Sequence, residues 1–345
     1  MRSLAVGLLE YEKKIPFPYS DSLQLGVEKL QLKCTFESVS LLEGIPDFVT
    51  NWGQKLIKDW PVKINCPEEW KDKKLIEDDR VSDFCKELSE SFFQEADRVF
   101  QELAKNSIDN PDLYVKFRRF LIENPVITER KLAVKSVLEF QELEELLKSC
   151  YEPVPDSYKK NGNFSCCGNC GGLMRLTLED RLKCENKHCA KENIAPEHFK
   201  RDRGENVFWL KPGLRYFFHR PGVPELRLEK RLKEIGLEVE LYPDRDKYDL
   251  HIVFPDNTIW AVDVKFWESA YNLAKSIKKP IPKIVDRPYK EAFFIFADEI
   301  RYYGKEYIQE FLSHCSIKPK LRKDRVMFER DFVKKVANKL QGIQK

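Results

Sequence analysis

The sequence has no long apolar run, and this absence excludes a membrane-spanning protein. A helix needs about 18 to 20 consecutive apolar residues to cross a bilayer, and the most apolar stretch, Ala292 to Ala297, has only the length of a buried strand. The first residues carry one basic side chain, Arg2, and a short apolar run that ends at Glu10 without a small-residue cleavage site. We therefore expect a cytoplasmic protein with no contact to a membrane.

Glycine is also scarce, with 14 of 345 residues, while 42% of the residues are hydrophobic and 34% are charged. This composition excludes a fibrous or wholly disordered chain. The net charge of +3 is unevenly spread: residues 200–345 carry 31 Lys and Arg against 22 Asp and Glu, whereas residues 1–199 carry 29 against 35. The basic C-terminal part either meets a polyanion or presents a solvated basic surface.

Residues 1–155 show the periodicity of helices and no cluster of catalytic residues. Apolar side chains recur at three- and four-residue spacing in the segments 81–105 and 113–123, which is the spacing of one helix face. We therefore predict a helical N-terminal domain over residues 1–155. Its three tryptophans are expected to lie in a core: Trp52, Trp60 and Trp70.

Five of the ten cysteines crowd into a short window after a proline-containing linker. In a cytoplasmic protein such a cluster indicates metal rather than disulfides. The two short Cys knuckles resemble a zinc ribbon, which we predict over residues 160–200. Zn²⁺ takes four tetrahedral thiolates about 2.3 Å away, and four protein ligands leave no open position for water, as in a structural site. The most natural ligand set is Cys167, Cys170, Cys184 and Cys189.

Other ligand sets and another chemistry remain open for this cluster. Cys166 is the spare thiol, although a set that uses Cys166 with Cys170 is an alternative. Either His188 or His198 is able to replace a thiolate. A redox dithiol is a weaker interpretation because two separate knuckles are present.

The stretch from residue 221 to residue 265 predicts one amphipathic helix and a hairpin of strands. The helix runs from Glu225 to Gly236, and strands follow over residues 239–242, 248–254 and 259–265. Residues two apart on a strand face the same side, so Asp263 and Lys265 project together. Asp249 begins the neighbouring strand and is able to converge with Asp263. Three carboxylates suit a hard cation such as Mg²⁺, which prefers oxygen ligands.

This order of a helical Glu, a strand Asp, a hairpin and Asp-x-Lys resembles the PD-(D/E)XK nuclease superfamily. That superfamily includes restriction endonucleases and archaeal Holliday-junction resolvases, and the resemblance covers residues 221–297. Glu225 precedes the helix-ending Gly236 by eleven residues, as in the resolvases, which favours Glu225 over Glu229. The resemblance implies Mg²⁺ or Mn²⁺ held by the three acids and the main-chain carbonyl of Val264. It also implies four catalytic residues: Glu225, Asp249, Asp263 and Lys265.

The fold expected from these segments is multidomain α+β. It combines the helical N-terminal region, the small zinc ribbon and, over residues 205–345, an α/β restriction-endonuclease-like core with a mixed central sheet. In an alternative without a functional site, Glu225 and Glu229 form a solvated helix face, and Asp263 pairs with Lys265 on an exposed strand. Four lysines that lie close to the proposed site in the sequence either contact nucleic-acid phosphates or form a solvated basic loop: Lys275, Lys278, Lys279 and Lys283.

The whole arrangement is similar to the endonuclease component of prokaryotic PIWI–restriction-endonuclease (pPIWI-RE) defence cassettes. The segments Pro221 to Glu225, Tyr248 to Leu250 and Trp260 to Lys265 carry this likeness. It implies a metal-dependent endonuclease that cleaves plasmid or phage DNA beside a helicase and an Argonaute-like protein. Two other functions remain open: a non-catalytic nucleic-acid-binding or assembly subunit on a nuclease-like scaffold, and an RNA-directed nuclease.

Overall fold

A computed structural model describes most of the chain. The described residues are 1–13, 19–88, 91–176, 181–184, 186, 189, 194–202, 204–303, 306–317 and 321–343. Within them, no helix has both the length and the apolar character needed to cross a membrane.

The described α-helices are spread along the whole chain. In chain order they are α1 (Arg2–Lys13), α2 (Asp21–Glu37), α3 (Ile45–Asp47), α4 (Asp83–Leu88), α5 (Ser91–Asn106), α6 (Pro111–Glu123), α7 (Glu129–Leu138), α8 (Glu144–Ser149), α9 (Pro212–Leu214), α10 (Arg220–Glu234), α11 (Ala270–Ser276), α12 (Glu306–His314) and α13 (Glu329–Ile343). Two π-helical turns, Phe48–Trp52 and Arg215–His219, follow α3 and α9.

The described strands form one larger sheet and several small ones. In chain order they are β1 (Ile76–Glu77), β2 (Arg80–Val81), β3 (Val126–Thr128), β4 (Tyr151–Pro153), β5 (Ser165–Cys167), β6 (Met174–Leu176), β7 (Leu182–Cys184), β8 (Pro196–His198), β9 (Val207–Leu210), β10 (Glu238–Leu241), β11 (Leu250–Val253), β12 (Ile259–Lys265), β13 (Glu291–Phe296) and β14 (Val326–Phe328). The small sheets pair β1 with β2, β3 and β4 with β9, β5 with β8, and β6 with β7.

The chain divides into two compact units. The first contains Met1–Phe93, Trp267–Lys278 and Gln309–Ser316. Here α1 packs against α2, and the predicted tryptophan core is largely confirmed: Trp52 and Trp60 are buried. Trp70 is half-buried and packs edge-on against Phe84 and Tyr271, with ring centroids 5.6 and 6.3 Å away.

The second unit contains Gln94–Phe266, Lys279–Ile308 and Ile317–Lys345. Its five-stranded sheet has the order β10-β11-β12-β13-β14, with antiparallel pairs on one side of β12 and parallel pairs on the other. The predicted α+β fold with a mixed C-terminal sheet is therefore confirmed. Val262 and Val264 point from β12 into a core shared with α6, α10 and α13. Since side chains alternate along a strand, Asp263 and Lys265 lie on the opposite face.

Several sequence predictions agree with these boundaries, and others do not. The predicted strand 259–265 is β12, and the apolar stretch that has the length of a buried strand, Ala292 to Ala297, largely coincides with β13. The predicted helix at residues 81–105 is divided into α4 and α5, and residues 89–90 lie outside the described part. The helix of Glu225 begins at Arg220, because the π-helical turn before it leads directly into α10. Pro221 lies in the first turn of α10, where proline is tolerated, whereas Pro224 lies inside the helix.

The contact between α6 and α10 depends on a glycine. A Cβ atom added at Gly222 would lie 2.4 Å from Cδ1 of Ile122, a distance that real side chains do not occupy. The absence of a side chain at Gly222 therefore lets α10 approach α6. This approach matters for the site because α10 carries Glu225 and α6 carries Arg118.

Candidate active site

The central strand β12 and the residues before β11 position two of the acids. The N–H of Asp249 donates to the carbonyl of Val262 at 3.0 Å, and Oδ2 of Asp249 accepts the N–H of Val264 at 2.5 Å. Asp249 is thereby fixed beside β12, one residue before β11 begins. On the same face, Nζ of Lys265 donates to Oδ1 of Asp263. The structure thus brings Asp249, Asp263 and Lys265 to one place.

Glu225 reaches the same place from α10. Its side chain is 3% exposed. Nη2 of Arg118 donates to Oε1 and Oε2 at 3.1 and 3.0 Å, and the hydroxyl of Tyr242 donates to Oε2 at 2.6 Å. The charges of Glu225 and Lys265 act on each other, and Glu225 also acts on Asp249. All four residues predicted to be catalytic therefore belong to one electrostatic cluster.

The rival helical acid, Glu229, makes different contacts. Nη2 of Arg119 and Nζ of Lys233 donate to its carboxylate at 2.7 and 2.8 Å. Both Glu225 and Glu229 are buried, at 2% and 4% exposure. The alternative in which these two acids form a solvated helix face is therefore wrong.

Sequence reasoning missed further members of the cluster. Arg118, from α6, also donates to Oδ2 of Asp246, and Tyr114 donates to the same oxygen at 3.2 Å. Asp246 lies in a turn with positive φ angles, among them 49° at Tyr242 and 75° at Asp246. A non-glycine residue in this region costs about 1 to 3 kcal/mol and persists where the surrounding structure enforces it.

A signal for Arg118 was present in the sequence. It lies four residues after Tyr114 and three before Leu121 on α6, so it occupies the apolar face of that helix. An arginine on such a face needs a buried acidic partner. For Asp246, the only signal was an acidic turn shortly before Asp249.

Burial and mutual repulsion raise the pKa values of the two most buried acids of the cluster. Burial raises the pKa of Glu225 to about 7, against the opposing effects of Arg118 and Tyr242. Burial, together with the charges of Glu225 and Asp263, raises the pKa of Asp249 well above its ordinary value. Burial lowers the pKa of Lys265, but the carboxylates of Asp263 and Asp249 outweigh it and hold that pKa above its usual value. Burial therefore favours the protonated forms of Glu225 and Asp249, while Lys265 is held in its charged form.

One side of the cluster faces solvent. The side chains of Asp263, Lys265 and Asp246 are 20%, 22% and 21% exposed, whereas those of Glu225 and Asp249 are 3% and 9% exposed. A ligand from solution would therefore meet the first three groups, with Glu225 and Asp249 behind them.

The donor set fits a divalent cation. When ionised, the four carboxylates of Glu225, Asp246, Asp249 and Asp263 exceed the charges of Arg118 and Lys265. Carboxylate oxygens are the ligands that Mg²⁺ and Mn²⁺ prefer. A divalent cation would supply positive charge that favours the ionised forms of the buried acids, against the burial that raises their pKa values.

The four predicted cysteine ligands form a second candidate metal centre. The Sγ atoms of Cys167, Cys170, Cys184 and Cys189 all lie within 4.8 Å of one another. The turn after β5 is closed by the N–H of Gly171, which donates to the carbonyl of Cys167 at 2.8 Å with φ of +71° at the glycine. Cys184 enters from β7, and Cys189 accepts from Asn169 Nδ2 at 3.2 Å. These four thiols are able to bind a structural metal such as zinc.

The spare thiol points elsewhere. Cys166 precedes Cys167 on β5, so its side chain lies on the other face of the strand. It packs with Phe164, Leu173 and Trp209, and burial raises its pKa to about 12. His198 is exposed on β8, and His188 lies outside the described residues.

The four predicted nucleic-acid-binding lysines are all exposed: Lys275, Lys278, Lys279 and Lys283. Lys275 lies over the ring of Tyr271 at 5.3 Å in the first unit, and Lys283 over that of Tyr289 at 5.4 Å in the second. Among the described residues, none of the four forms an ion pair with an acid. Their positive charge is therefore available to a ligand.

Two family models match the chain. Residues 222–344 match the model described as "REase associating with pPIWI_RE". Residues 3–128 match the model described as "pPIWI_RE three-gene island domain Y". No curated protein and no solved structure matches the chain.

The C-terminal part of the chain is therefore a restriction-endonuclease-like domain, which agrees with the mixed sheet and the acids gathered beside β12. With domain Y ahead of that domain, the chain is a pPIWI-RE cassette protein, so the resemblance to these cassettes is confirmed. This context indicates a PIWI protein and other cassette proteins as neighbours. Domain Y was not predicted from the sequence, in which residues 1–155 show helical periodicity and no cluster of catalytic residues.

Proposed function

We propose that this protein is the metal-dependent endonuclease of its cassette and hydrolyses DNA phosphodiester bonds in defence against plasmid or phage DNA. The observation that carries the proposal is the convergence of Glu225, Asp249 and Asp263 beside Lys265. Phosphodiester hydrolysis needs a positioned cation and a group that stabilises charge on the phosphate. The match of residues 222–344 to a restriction-endonuclease-like family supports the same reaction.

The proposed cation is Mg²⁺ or Mn²⁺, held by Glu225, Asp249 and Asp263 with the main-chain carbonyl of Val264. Such an ion lowers the pKa of bound water and neutralises charge on the scissile phosphate. Asp249 is held in place by the N–H of Val264 at 2.5 Å. Lys265, kept protonated by the neighbouring carboxylates, is placed to stabilise the negative charge that develops on the phosphorane.

We also propose partners and a second metal. Lys275, Lys278, Lys279 and Lys283 would contact DNA phosphates, since each is exposed. Zinc would stabilise the small cysteine-rich module, which has little apolar core of its own. The helicase and the Argonaute-like protein of such a cassette would be functional partners in the cytoplasm.

A second candidate function is a non-catalytic nucleic-acid-binding or assembly subunit. One observation favours it: both carboxylate oxygens of Glu225 are bonded to Arg118, and one also to Tyr242. These contacts would suit an acid that stabilises the fold. Salt-dependent binding of nucleic acid without any metal-dependent cleavage would identify this function.

The proposal is tested by incubating the purified full chain with duplex DNA, single-stranded DNA and RNA in Mg²⁺ or Mn²⁺. We expect cleavage of DNA that stops in EDTA. Lys265→Ala should reduce the rate by at least about a hundredfold, because the charge that develops on the phosphate loses its partner. Lys290→Ala, an exposed lysine of the same unit, is the control and should cleave normally.

Equal rates for wild type and Lys265→Ala would overturn the nuclease assignment. Cleavage of RNA alone would support phosphodiester hydrolysis but would identify the protein as the RNA-directed nuclease of the alternative proposal.

A further inference from the structure

Arg118 lies inside the acid cluster of the proposed nuclease site. Its side chain is 4% exposed, and its guanidinium contacts three carboxylates. It donates to both oxygens of Glu225 and to Asp246, and its Nη2 lies 3.8 Å from Oδ1 of Asp249. The positive charge of the Arg118 guanidinium therefore already lies among the acids that are proposed to bind a divalent metal ion.

The position of Arg118 is fixed by the fold. The guanidinium lies over the ring of Tyr242 at 3.9 Å, and neighbouring residues of α6, Phe117 and Leu121, are fully buried in the core. Moving this guanidinium into solvent would leave buried carboxylates without their partner, which is costly.

The guanidinium and its acids come from different family segments. Arg118 belongs to residues 3–128, which match domain Y, whereas Glu225 and Asp249 belong to residues 222–344, which match the endonuclease model. The two segments are therefore joined at the proposed metal site itself.

Arg118 is expected to weaken the binding of a divalent cation to Glu225. A carboxylate has about four lone-pair positions, and Glu225 already uses three, for two contacts with Arg118 and one with Tyr242. A divalent cation that binds Glu225 would therefore meet a competitor for the same oxygens. It would also be repelled by a positive charge a few ångströms away in a poorly screened site.

Given the nuclease function proposed above, we propose that Arg118 is a built-in counter-ion of the metal site. The divalent cation competes with it for Glu225. The segment that matches domain Y thus sets how readily the nuclease takes up its metal.

The chain offers a matched control in the next residue. Arg119 lies on the same helix and also pairs with a glutamate of α10, donating to both oxygens of Glu229 at 2.7 Å. Its side chain is 34% exposed, against 4% for Arg118. Arg119→Gln therefore removes an arginine–glutamate pair between the same two helices without removing a charge that contacts Asp246 and Asp249.

The experiment measures Mn²⁺ binding to the full chain by titration calorimetry, with the cysteine cluster loaded with zinc beforehand. Arg118→Gln is expected to bind Mn²⁺ at least about tenfold more tightly than wild type, since a repelling charge is lost. Arg119→Gln should stay within about twofold of wild type because Arg119 is one-third exposed, so its charge is partly screened, and it pairs with Glu229 instead of the acids of the site. Asp263→Asn serves as the variant that should lose the site.

The outcomes separate this inference from the proposed function. If wild type shows no Mn²⁺ binding that depends on Asp263, the nuclease proposal itself fails. If such binding is present but Arg118→Gln binds equally or more weakly, the competition is overturned while the nuclease proposal stands. If circular dichroism shows that Arg118→Gln does not fold, hydrogen exchange in wild type decides: faster exchange in residues 111–123 on adding Mn²⁺ supports competition, and unchanged or slower exchange overturns it.

Discussion

Replacing Asp263 with asparagine is expected to abolish DNA cleavage. Asp263 is the proposed metal ligand on the central strand, and it is one of the groups that faces solvent. An amide carries no charge and binds divalent cations far more weakly than a carboxylate. We expect the rate to fall by at least about a thousandfold, the scale of losing metal-based stabilisation of the phosphate.

The same substitution should leave the fold intact. Asn has the shape of Asp, and the lost ion pair with Lys265 is partly exposed, so the free energy of unfolding should change by about 1 kcal/mol or less. Asp256→Asn is the matched control, because Asp256 lies in the turn between β11 and β12 and pairs with Lys339 instead. Asparagine keeps the capacity to form that turn.

The measurement is single-turnover cleavage of DNA at saturating Mg²⁺, with thermal unfolding of each variant in EDTA. An Asp263→Asn variant that cleaves as fast as Asp256→Asn would remove Asp263 from the active site. A variant that is inactive because it has unfolded would be recognised by its lower melting temperature.

Replacing Cys167 with serine is expected to release zinc from the second metal centre. The four thiols gathered within 4.8 Å suit one tetrahedral ion, and Cys167 is one of them. Structural zinc contributes about 10 to 16 kcal/mol of binding free energy in small modules. Losing one thiolate ligand should therefore leave the zinc content well below one ion per chain and unfold the ribbon.

Cys166→Ser is the matched control for this prediction. Cys166 is the adjacent residue and equally a cysteine, yet its side chain packs among Phe164, Leu173 and Trp209. The serine hydroxyl would cost about 1 to 3 kcal/mol in that apolar surrounding, but zinc should stay bound. Zinc is counted by elemental analysis after dialysis, and loss from Cys166→Ser with retention by Cys167→Ser would refute the assignment.

The strands of the site could be predicted from the sequence because their patterns are local. The apolar run before Asp263 predicted β12 with the bounds that the structure has, and the apolar stretch after Glu291 marked the position of β13. The Asp-x-Lys pair follows from the alternation of side chains along β12. Likewise, the spacing of the cysteine knuckles predicted the four thiols that the structure gathers.

What could not be predicted depends on contacts between distant segments. Arg118 is 107 residues from Glu225 and 128 residues from Asp246 along the chain, and no local pattern reports such a contact. The packing of residues 267–278 with the first 93 residues is equally non-local. The early start of α10 was missed because Pro221 and Pro224 are typical of a loop.

We propose above that Glu225, Asp249 and Asp263 share a divalent cation beside Lys265. It is tested most directly by anomalous diffraction from crystals of the full chain soaked in Mn²⁺. We expect an anomalous peak about 2.0 to 2.4 Å from the carboxylate oxygens of Asp249 and Asp263. A fully occupied Mn²⁺ elsewhere, with no peak at these two carboxylates, would contradict it.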